Sequence, residues 1–352
     1  MRRLLAVLLF LATGLAAGLA LDAWLQVAEI QCPLETYIDP AYGPAYYPDR
    51  EFSRFNESFF LGGTNRWGYL GEGRPPRNES GELRILLVGD SFVLGHTVFE
   101  RHHFKRVMER DLTAALGRPV AVLNFARADF NLWNMHRYYR DFASRWDHDL
   151  ALLFLGEPDL VPGRQVGSSL YPFSYAAGDT VAADYSFRAS GLYRQAKILE
   201  PVVSRLAVPR LAFNLYKVGL RGELPRVLFG KFAPARRAAT EEEGAALVRE
   251  QSPPLPVNSR VLLRDLAADP RVLLVYKEPI AEAYRAAIDS LGADPADLEL
   301  VFAAMRARGV DPRWWPVTHR HGHWNHAAHV EIGHALASEI LGRRRLAVGA
   351  AP

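Results

Sequence analysis

Cysteine is almost absent from this sequence: Cys32 is the one thiol in 352 residues. No disulfide can form within the chain, which excludes a small secreted scaffold held together by disulfide bonds. The residues before Cys32 lack the small side chains of a lipoprotein attachment site. We therefore interpret Cys32 as a thiol without a particular role.

A strong excess of charge of one sign is also missing. Lys and Arg number 42 against 39 Asp and Glu, and the net charge is +3. No basic run is interleaved with aromatic residues, so a nucleic-acid partner is not expected. Neither of the common glycine-rich phosphate-binding motifs occurs, and we expect no cofactor.

Long apolar runs are rare, and only one is long enough to cross a membrane, which excludes a polytopic membrane protein. It extends from Leu4 to Leu21 and follows Arg2 and Arg3. This pattern predicts that residues 1–24 are a signal peptide or a membrane anchor. Either role places the remainder in the periplasm or on the outer face of the inner membrane, or outside the cell if the segment is cleaved. Export without disulfides favours a bacterial envelope protein.

Short apolar runs alternate with helical patterns in the middle of the chain. We predict buried strands at 84–89, 120–123 and 150–155, with helices over 99–116 and 131–146 between them. Strand-helix alternation is typical of an α/β fold with a doubly wound, mostly parallel sheet in three flavodoxin-like layers.

The segments outside this alternation are predicted to have other structures. Residues 25–80, rich in Pro, Tyr, Gly and Asn, are expected to form an irregular arm. The main domain is expected to cover 81–345, with 160–260 as an inserted lobe or cap that contains a strand near Leu211–Tyr216. The remaining predicted elements are a strand at 272–276 and helices over 281–291, 297–308 and 327–341.

A serine follows the first predicted strand, in Gly89-Asp90-Ser91. Ligands of parallel sheets bind beyond the carboxyl ends of the strands. A serine beside glycine at a strand-to-helix turn has an exposed hydroxyl and backbone N–H groups nearby, as a nucleophile requires. Ser91 is therefore a candidate nucleophile, although it could simply cap the next helix. His323, just before the last predicted helix, is the candidate general base.

Together these motifs resemble the exported bacterial branch of the SGNH (GDSL-type) hydrolase and acyltransferase superfamily, from about Asn65 to Leu341. The family's Gly-Asp-Ser block is matched at 89–91. Its last block is matched by His323, Trp324, Asn325, Ala328 and His329, and its lead-in by Asn65-Arg66-Trp67-Gly68-Tyr69. The resemblance implies two-step acyl transfer, with Ser91 as nucleophile and His323 as base.

Three supporting positions differ from the family pattern. Asp129 stands where the family has a glycine whose N–H binds the oxyanion, five residues after an asparagine. Pro158 replaces an asparagine that donates to the oxyanion, and proline has no donor. His321 and Arg320 occupy the positions expected for the carboxylate that orients the catalytic histidine.

These differences leave two interpretations open: other residues replace the missing groups, or the site has decayed. The candidate supporting residues are Asp129, Asp90, Glu157, Asp159 and His321. The backbone N–H groups of Ser91 and Asp129 are the candidate oxyanion donors.

The first functional hypothesis is an exported serine esterase or O-acyltransferase that acts on acyl esters, chiefly acetyl esters, of cell-envelope carbohydrate. Its expected partners are an acylated saccharide or another ester substrate, and a membrane-bound acyl-transfer protein. The alternative is a catalytically degenerate binding or scaffold protein of a polysaccharide assembly system.

A metal centre is a third hypothesis, because six of the 11 histidines lie between His319 and His334. Against it, the sequence has no His-Glu-x-x-His motif, no nearby cysteine and few nearby carboxylates. We therefore predict no metal ligands.

Overall fold

The computed structural model describes residues 2–28, 35–54, 57–161, 170–220 and 254–343. The N-terminal part contains helix α1 (Arg2–Val27) and two hairpins, formed by strands β1 (Thr36–Asp39) and β2 (Gly43–Tyr46), and by β3 (Glu51–Arg54) and β4 (Phe60–Gly63). The segment expected to form an irregular arm therefore contains two short hairpins, and the arm as a separate unit stays a prediction. Strands of four residues are too short to show an alternating pattern, and each pairs with its neighbour in the chain.

The other strands are β5 (Leu83–Val88), β6 (Val120–Asn124), β7 (Leu150–Leu155), β8 (Phe173–Ala177), β9 (Thr180–Asp184), β10 (Val272–Tyr276), β11 (Ala296–Asp297), β12 (Trp314–Trp315) and β13 (Arg320–His321). Five of them form the central sheet in the order β6-β5-β7-β10-β11, and every neighbouring pair is parallel. β8 pairs with β9, and β12 with β13, in antiparallel hairpins.

The sheet order confirms the predicted doubly wound α/β fold. The chain passes from β5 to β6 on one side and then returns to β7 on the other side of β5. A crevice opens where the direction of winding reverses in this way, beyond the carboxyl ends of β5 and β7. The residues that follow these two strands therefore face the place where such sheets bind ligands.

The helices in chain order are α2 (Ser91–Leu94), α3 (Phe104–Leu116), α4 (Leu132–Asp141), α5 (Glu157–Leu160), α6 (Gly191–Arg205), α7 (Ala207–Leu220), α8 (Val257–Ala267), α9 (Glu282–Asp289), α10 (Glu299–Ala307) and α11 (His326–Gly342). On one face of the sheet, α3, α10 and α11 share a core with Ile85 and Leu87. On the other face, α4, α8 and α9 share a core with Leu86 and Val88. Because both faces are covered, the strands are continuous apolar runs, which made them visible in the sequence.

The prediction of a strand near Leu211–Tyr216 is wrong, since these residues lie within α7. A short apolar run fits a buried strand and a helix equally well when its period is unclear. The division of the chain at residues 24, 80 and 160–260 stays a prediction. Cys32 lies outside the described residues.

Candidate active site

Ser91 is the first residue of α2 and directly follows the turn after β5. The Asp90 carboxylate caps this helix, because its Oδ1 accepts the Phe92 N–H at 3.0 Å. A Cβ at Gly89 would lie 2.5 Å from Cγ2 of Val93, so only glycine allows the helix to begin this close to the strand. The local sequence thus builds a tight turn that places Ser91 at the carboxyl edge of the sheet.

His323 lies in the connection between β13 and α11, and the structure brings it against Ser91. Its Nε2 is 2.7 Å from the Ser91 Oγ. The helix that follows is fixed by Asn325, whose side chain accepts the Ala328 N–H at 3.0 Å. The Phe92 ring packs on the imidazole, with ring centroids 4.7 Å apart. The serine and the histidine are thus within the hydrogen-bonding distance that proton transfer requires.

The carboxylate that orients this histidine comes from Glu57, which lies in the connection between β3 and β4. Its Oε1 is 2.8 Å from the His323 Nδ1, and its Oε2 accepts the His323 backbone N–H at 2.6 Å. The backbone of Glu57 is also held, because the Thr318 hydroxyl donates to its carbonyl at 2.5 Å. Glu57, His323 and Ser91 therefore have the arrangement of a Ser-His-acid triad.

The electrostatics of Glu57 suit this arrangement. Burial raises the pKa of its carboxyl, but hydrogen bonds from His323 and the positive charges of His323 and Arg313 outweigh that effect. The net result is a pKa below the ordinary value, so the group is ionised at neutral pH. An ionised carboxylate at Nδ1 assigns the proton of the neutral imidazole to that nitrogen and leaves Nε2 free to accept the serine proton.

Gly322 is the residue that lets Glu57 approach His323. A Cβ at this position would lie 2.1 Å from the Glu57 Cδ. We expect Gly322→Ala to displace the carboxylate and to lower kcat by at least about 10²-fold, because small displacements of a catalytic group are that costly. The measurement is ester turnover together with the melting temperature.

Gly191→Ala is the matched control for this prediction, since a Cβ there meets no atom within 4 Å. It should leave both turnover and melting temperature unchanged. Equal activity of the Gly322→Ala protein and the wild type would contradict the assignment of Glu57.

Asp129 and Pro158, the two positions at which the oxyanion donors differ from the family pattern, are both exposed. Asp129 has a left-handed backbone with φ of 62°. Glycine adopts this conformation most easily, and Asp tolerates it better than most other residues. Asp can therefore replace the glycine of the family pattern. The residue is exposed, so water screens its charge, and its backbone N–H is retained. Pro158 is exposed in the first turn of α5 and supplies no donor.

Asn124, at the end of β6, attaches the nucleophile turn to the sheet. Its side-chain amide donates to the carbonyl oxygens of Val93 and Leu94 at 3.1 and 3.2 Å, and its Oδ1 accepts the Ala126 N–H. These bonds link α2 to the segment that leads to Asp129. The two candidate donor positions, at Ser91 and Asp129, are therefore held to each other through one buried amide.

Two predicted supporting residues, Asp90 and Asp159, form a buried cluster around Lys277. The Lys277 Nζ lies 2.5 Å from Asp90 and 2.6 Å from Asp159. Burial, together with the charge of Asp90, raises the pKa of the Asp159 carboxyl to about 6 despite the ammonium group beside it. Burial disfavours the charged form of Lys277, but the two carboxylates outweigh it and raise the pKa of the ammonium group. The cluster lies directly behind the nucleophile, because Asp90 precedes Ser91.

Glu157 and His321 have other partners. The Glu157 Oε2 accepts the Ala281 N–H at 3.0 Å and so supports the start of α9. The exposed His321 ring bonds through Nε2 to Asp311 at 2.7 Å. The carboxylate that the family pattern has at the position of His321 is here supplied by Glu57. Glu57 was not identified from the sequence.

The histidine cluster is dispersed in the structure. Among the described residues, no group of three or more His, Cys, Asp or Glu side chains could hold a metal ion. His329 is buried and accepts the Phe104 N–H through Nδ1, and burial holds the pKa of its ring well below the ordinary value. His334 instead bonds to Asp111 at the surface.

No family model and no curated protein matches this chain. Solved structures that match include the lipase/acylhydrolase from Enterococcus faecalis, with 15% identity over 74% of this chain and 96% of that chain, at a TM-score of 0.35. TesA matches with 14% identity over 73% of this chain and 98% of that chain, at a TM-score of 0.35. The acetyl xylan esterase AlAXEase matches with 12% identity over 73% of this chain and 100% of that chain, at a TM-score of 0.33.

Proposed function

We propose that this chain is a serine esterase or O-acyltransferase of the SGNH (GDSL) type. One observation carries the proposal: the Ser91 Oγ, His323 and Glu57 form a continuous hydrogen-bonded chain with distances of 2.7 and 2.8 Å. Ser91 does not cap α2, because Asp90 does, and a histidine and a carboxylate are aligned behind the Ser91 hydroxyl as a nucleophile requires.

The triad performs acyl transfer in two steps. His323 Nε2 takes the Ser91 proton as Oγ attacks the ester carbonyl, and the imidazolium is stabilised by Glu57. The same proton passes to the leaving alkoxide as the ester bond breaks, which yields an acyl-serine and a free alcohol. Water or a sugar hydroxyl then gives its proton to His323 and attacks the acyl-serine. His323 returns that proton to the Ser91 Oγ as the bond to the acyl group breaks, which frees the serine and releases either the acid or a new ester.

The oxyanion would be bound by backbone N–H groups. Ser91 is the first residue of α2, where the backbone N–H has no partner within the helix. The N–H of Asp129 is the second donor. With Pro158 in place of a side-chain donor, we expect slower turnover than a complete site would have, since one such donor is worth about 10²–10³-fold.

The substrate class we propose is an acyl ester, chiefly an acetyl ester, of cell-envelope carbohydrate, with a membrane-bound acyl-transfer protein as a partner. The family resemblance supports this class, because its exported members often handle acetyl groups on polysaccharides. In the described part of the chain, α1 is the one helix long and apolar enough to cross a membrane, which fits a signal or anchor segment. The site would then work outside the cytoplasm.

A catalytically degenerate binding or scaffold protein is the second candidate. Pro158 favours it, because the position that usually donates to the oxyanion is exposed and has no donor. This candidate predicts saccharide binding without turnover. It leaves the alignment of Glu57 behind His323 unexplained.

Labelling with a fluorophosphonate distinguishes the two candidates. We expect the probe to modify Ser91 in the full chain, as located by mass spectrometry, and to leave Ser91→Ala unlabelled. Ser80→Ala, a change at an exposed serine, is the control and should label like the wild type. Failure of the wild type to react under conditions that label a known serine esterase would refute acyl transfer through Ser91. Acetylated sugars would then be tested for binding alone.

A further inference from the structure

Helix α6 contacts the first hairpin through polar groups, and several large apolar residues on its other side are exposed in the described part of the chain. The Lys197 Nζ donates to the Ile38 carbonyl at 3.0 Å, and the Tyr47 hydroxyl donates to Glu200 at 3.3 Å. These bonds attach one side of α6 to the first hairpin. An ordinary surface helix has the opposite arrangement, with its apolar side toward the core.

The exposed apolar residues of α6 share one side of the helix. Leu192, Leu199 and Val202 follow one another at intervals of seven and three residues, and Leu206 directly follows the last residue of the helix. Leu199 is 50% exposed, and Ile198, beside it, is 73% exposed. We call these five residues the outer face of α6. A contiguous apolar surface of this kind marks an interaction site.

The outer face ends where α1 meets the protein. The Gln26 side chain donates to the Arg205 carbonyl at 3.3 Å, and Asp22 accepts the Val208 N–H at 2.8 Å. Asp22 and Leu25 are buried, whereas the other described residues of α1 are exposed. The junction of α6 and α7 therefore holds the C-terminal end of α1 and leaves its apolar run uncovered.

The length of that apolar run indicates where α6 would lie relative to the surface of a bilayer. Leu4 to Leu21 spans about 27 Å as a helix, close to the roughly 30 Å hydrocarbon thickness of a bilayer. With α1 across the membrane, Asp22 stands at the boundary, and Gln26, one helical turn beyond it, contacts Arg205 at the C-terminal end of α6. Lys197 and Glu200 pair with each other toward the first hairpin, so the other charged residues of α6 are Arg194 and Arg205, both exposed, which favours an anionic lipid surface.

We propose that the outer face of α6 lies in the interface of the lipid bilayer that holds α1, so that the protein contacts the membrane at two places. The proposal rests on α1 remaining in the membrane, which is part of the proposed function, but not on the serine chemistry. A second contact would restrict the rotation of the catalytic domain about α1 and keep its site at a constant orientation to the membrane.

Site-specific fluorescence in vesicles tests the proposal on the full chain. A Cys32→Ser background carries one new cysteine, Leu199→Cys, labelled with an environment-sensitive fluorophore. The vesicles contain phosphatidylethanolamine and phosphatidylglycerol, and the quenchers are lipid nitroxide and aqueous iodide. Val257→Cys, at a position 75% exposed at the start of α8, is the control in water, and Leu11→Cys in α1 is the reference in lipid.

We expect the probe at position 199 to be quenched by the lipid nitroxide and to be several-fold less accessible to iodide than the probe at position 257. Equal iodide quenching at positions 199 and 257, with position 11 in lipid, would refute the contact and leave the anchor intact. Shielding of position 199 from both quenchers would also refute it, because protein would then cover the outer face. A water-exposed position 11 would refute anchor and contact together, and fluorophosphonate labelling of Ser91 would report separately on the enzyme.

Discussion

Glu57→Gln should lower kcat for ester turnover by about 10³–10⁴-fold, which is the cost of removing the carboxylate from other serine triads. The amide keeps the size of the side chain, so the fold should survive. It removes the negative charge that stabilises the imidazolium of His323, and its NH₂ group can favour the wrong tautomer of the ring. The loss should appear in kcat far more than in KM, because the carboxylate acts on the transition state and does not contact the substrate.

Glu51→Gln is the control for this variant, because Glu51 is exposed on β3, in the same hairpin. It should have wild-type turnover and wild-type melting temperature. If both variants retained full activity, Glu57 would have no part in catalysis, and the triad would reduce to Ser91 and His323. If Glu57→Gln lowered the melting temperature as strongly as the activity, its effect would be structural.

Lys277→Met should lower the free energy of unfolding by about 3–5 kcal/mol, the cost of leaving a buried charge without its partner. Lys277 is 4% exposed and bridges two carboxylates, Asp90 and Asp159. Methionine fills the space of the aliphatic chain, so the loss should be electrostatic and not a cavity effect. Ser91 labelling should slow as well, because Asp90 caps the helix that begins with the nucleophile. Urea unfolding at pH 7 is the measurement.

Asp159→Asn is the matched variant, since it keeps the shape of the side chain and leaves one ammonium group with one carboxylate. We expect it to cost much less than Lys277→Met. The double variant should recover about 1 kcal/mol or more of the stability lost in Lys277→Met, because one of the two uncompensated carboxylates is gone. A double variant no more stable than Lys277→Met would mean that Asp159 already carries a proton once the ammonium group is absent, so that no repulsion between carboxylates is left to relieve.

The resemblance identified Ser91 and His323 from short motifs because each is held by its own neighbours in the chain. Gly89 and Asp90 build the turn at Ser91, and Asn325 caps the helix after His323. The carboxylate partner has no such local signature. Glu57 precedes His323 by 266 residues, and it can approach only because Gly322 has no side chain.

By itself, the sequence determined the parallel sheet, its two-sided core and the two segments that carry the serine and the histidine. Buried strands appear as continuous apolar runs, and turns and caps require particular residues at particular places. Only the tertiary structure decided that Glu57 completes the triad, that Lys277 joins Asp90 to Asp159, and that α6 faces outward with its apolar side. These contacts join side chains far apart in the chain, and no local period or spacing specifies them.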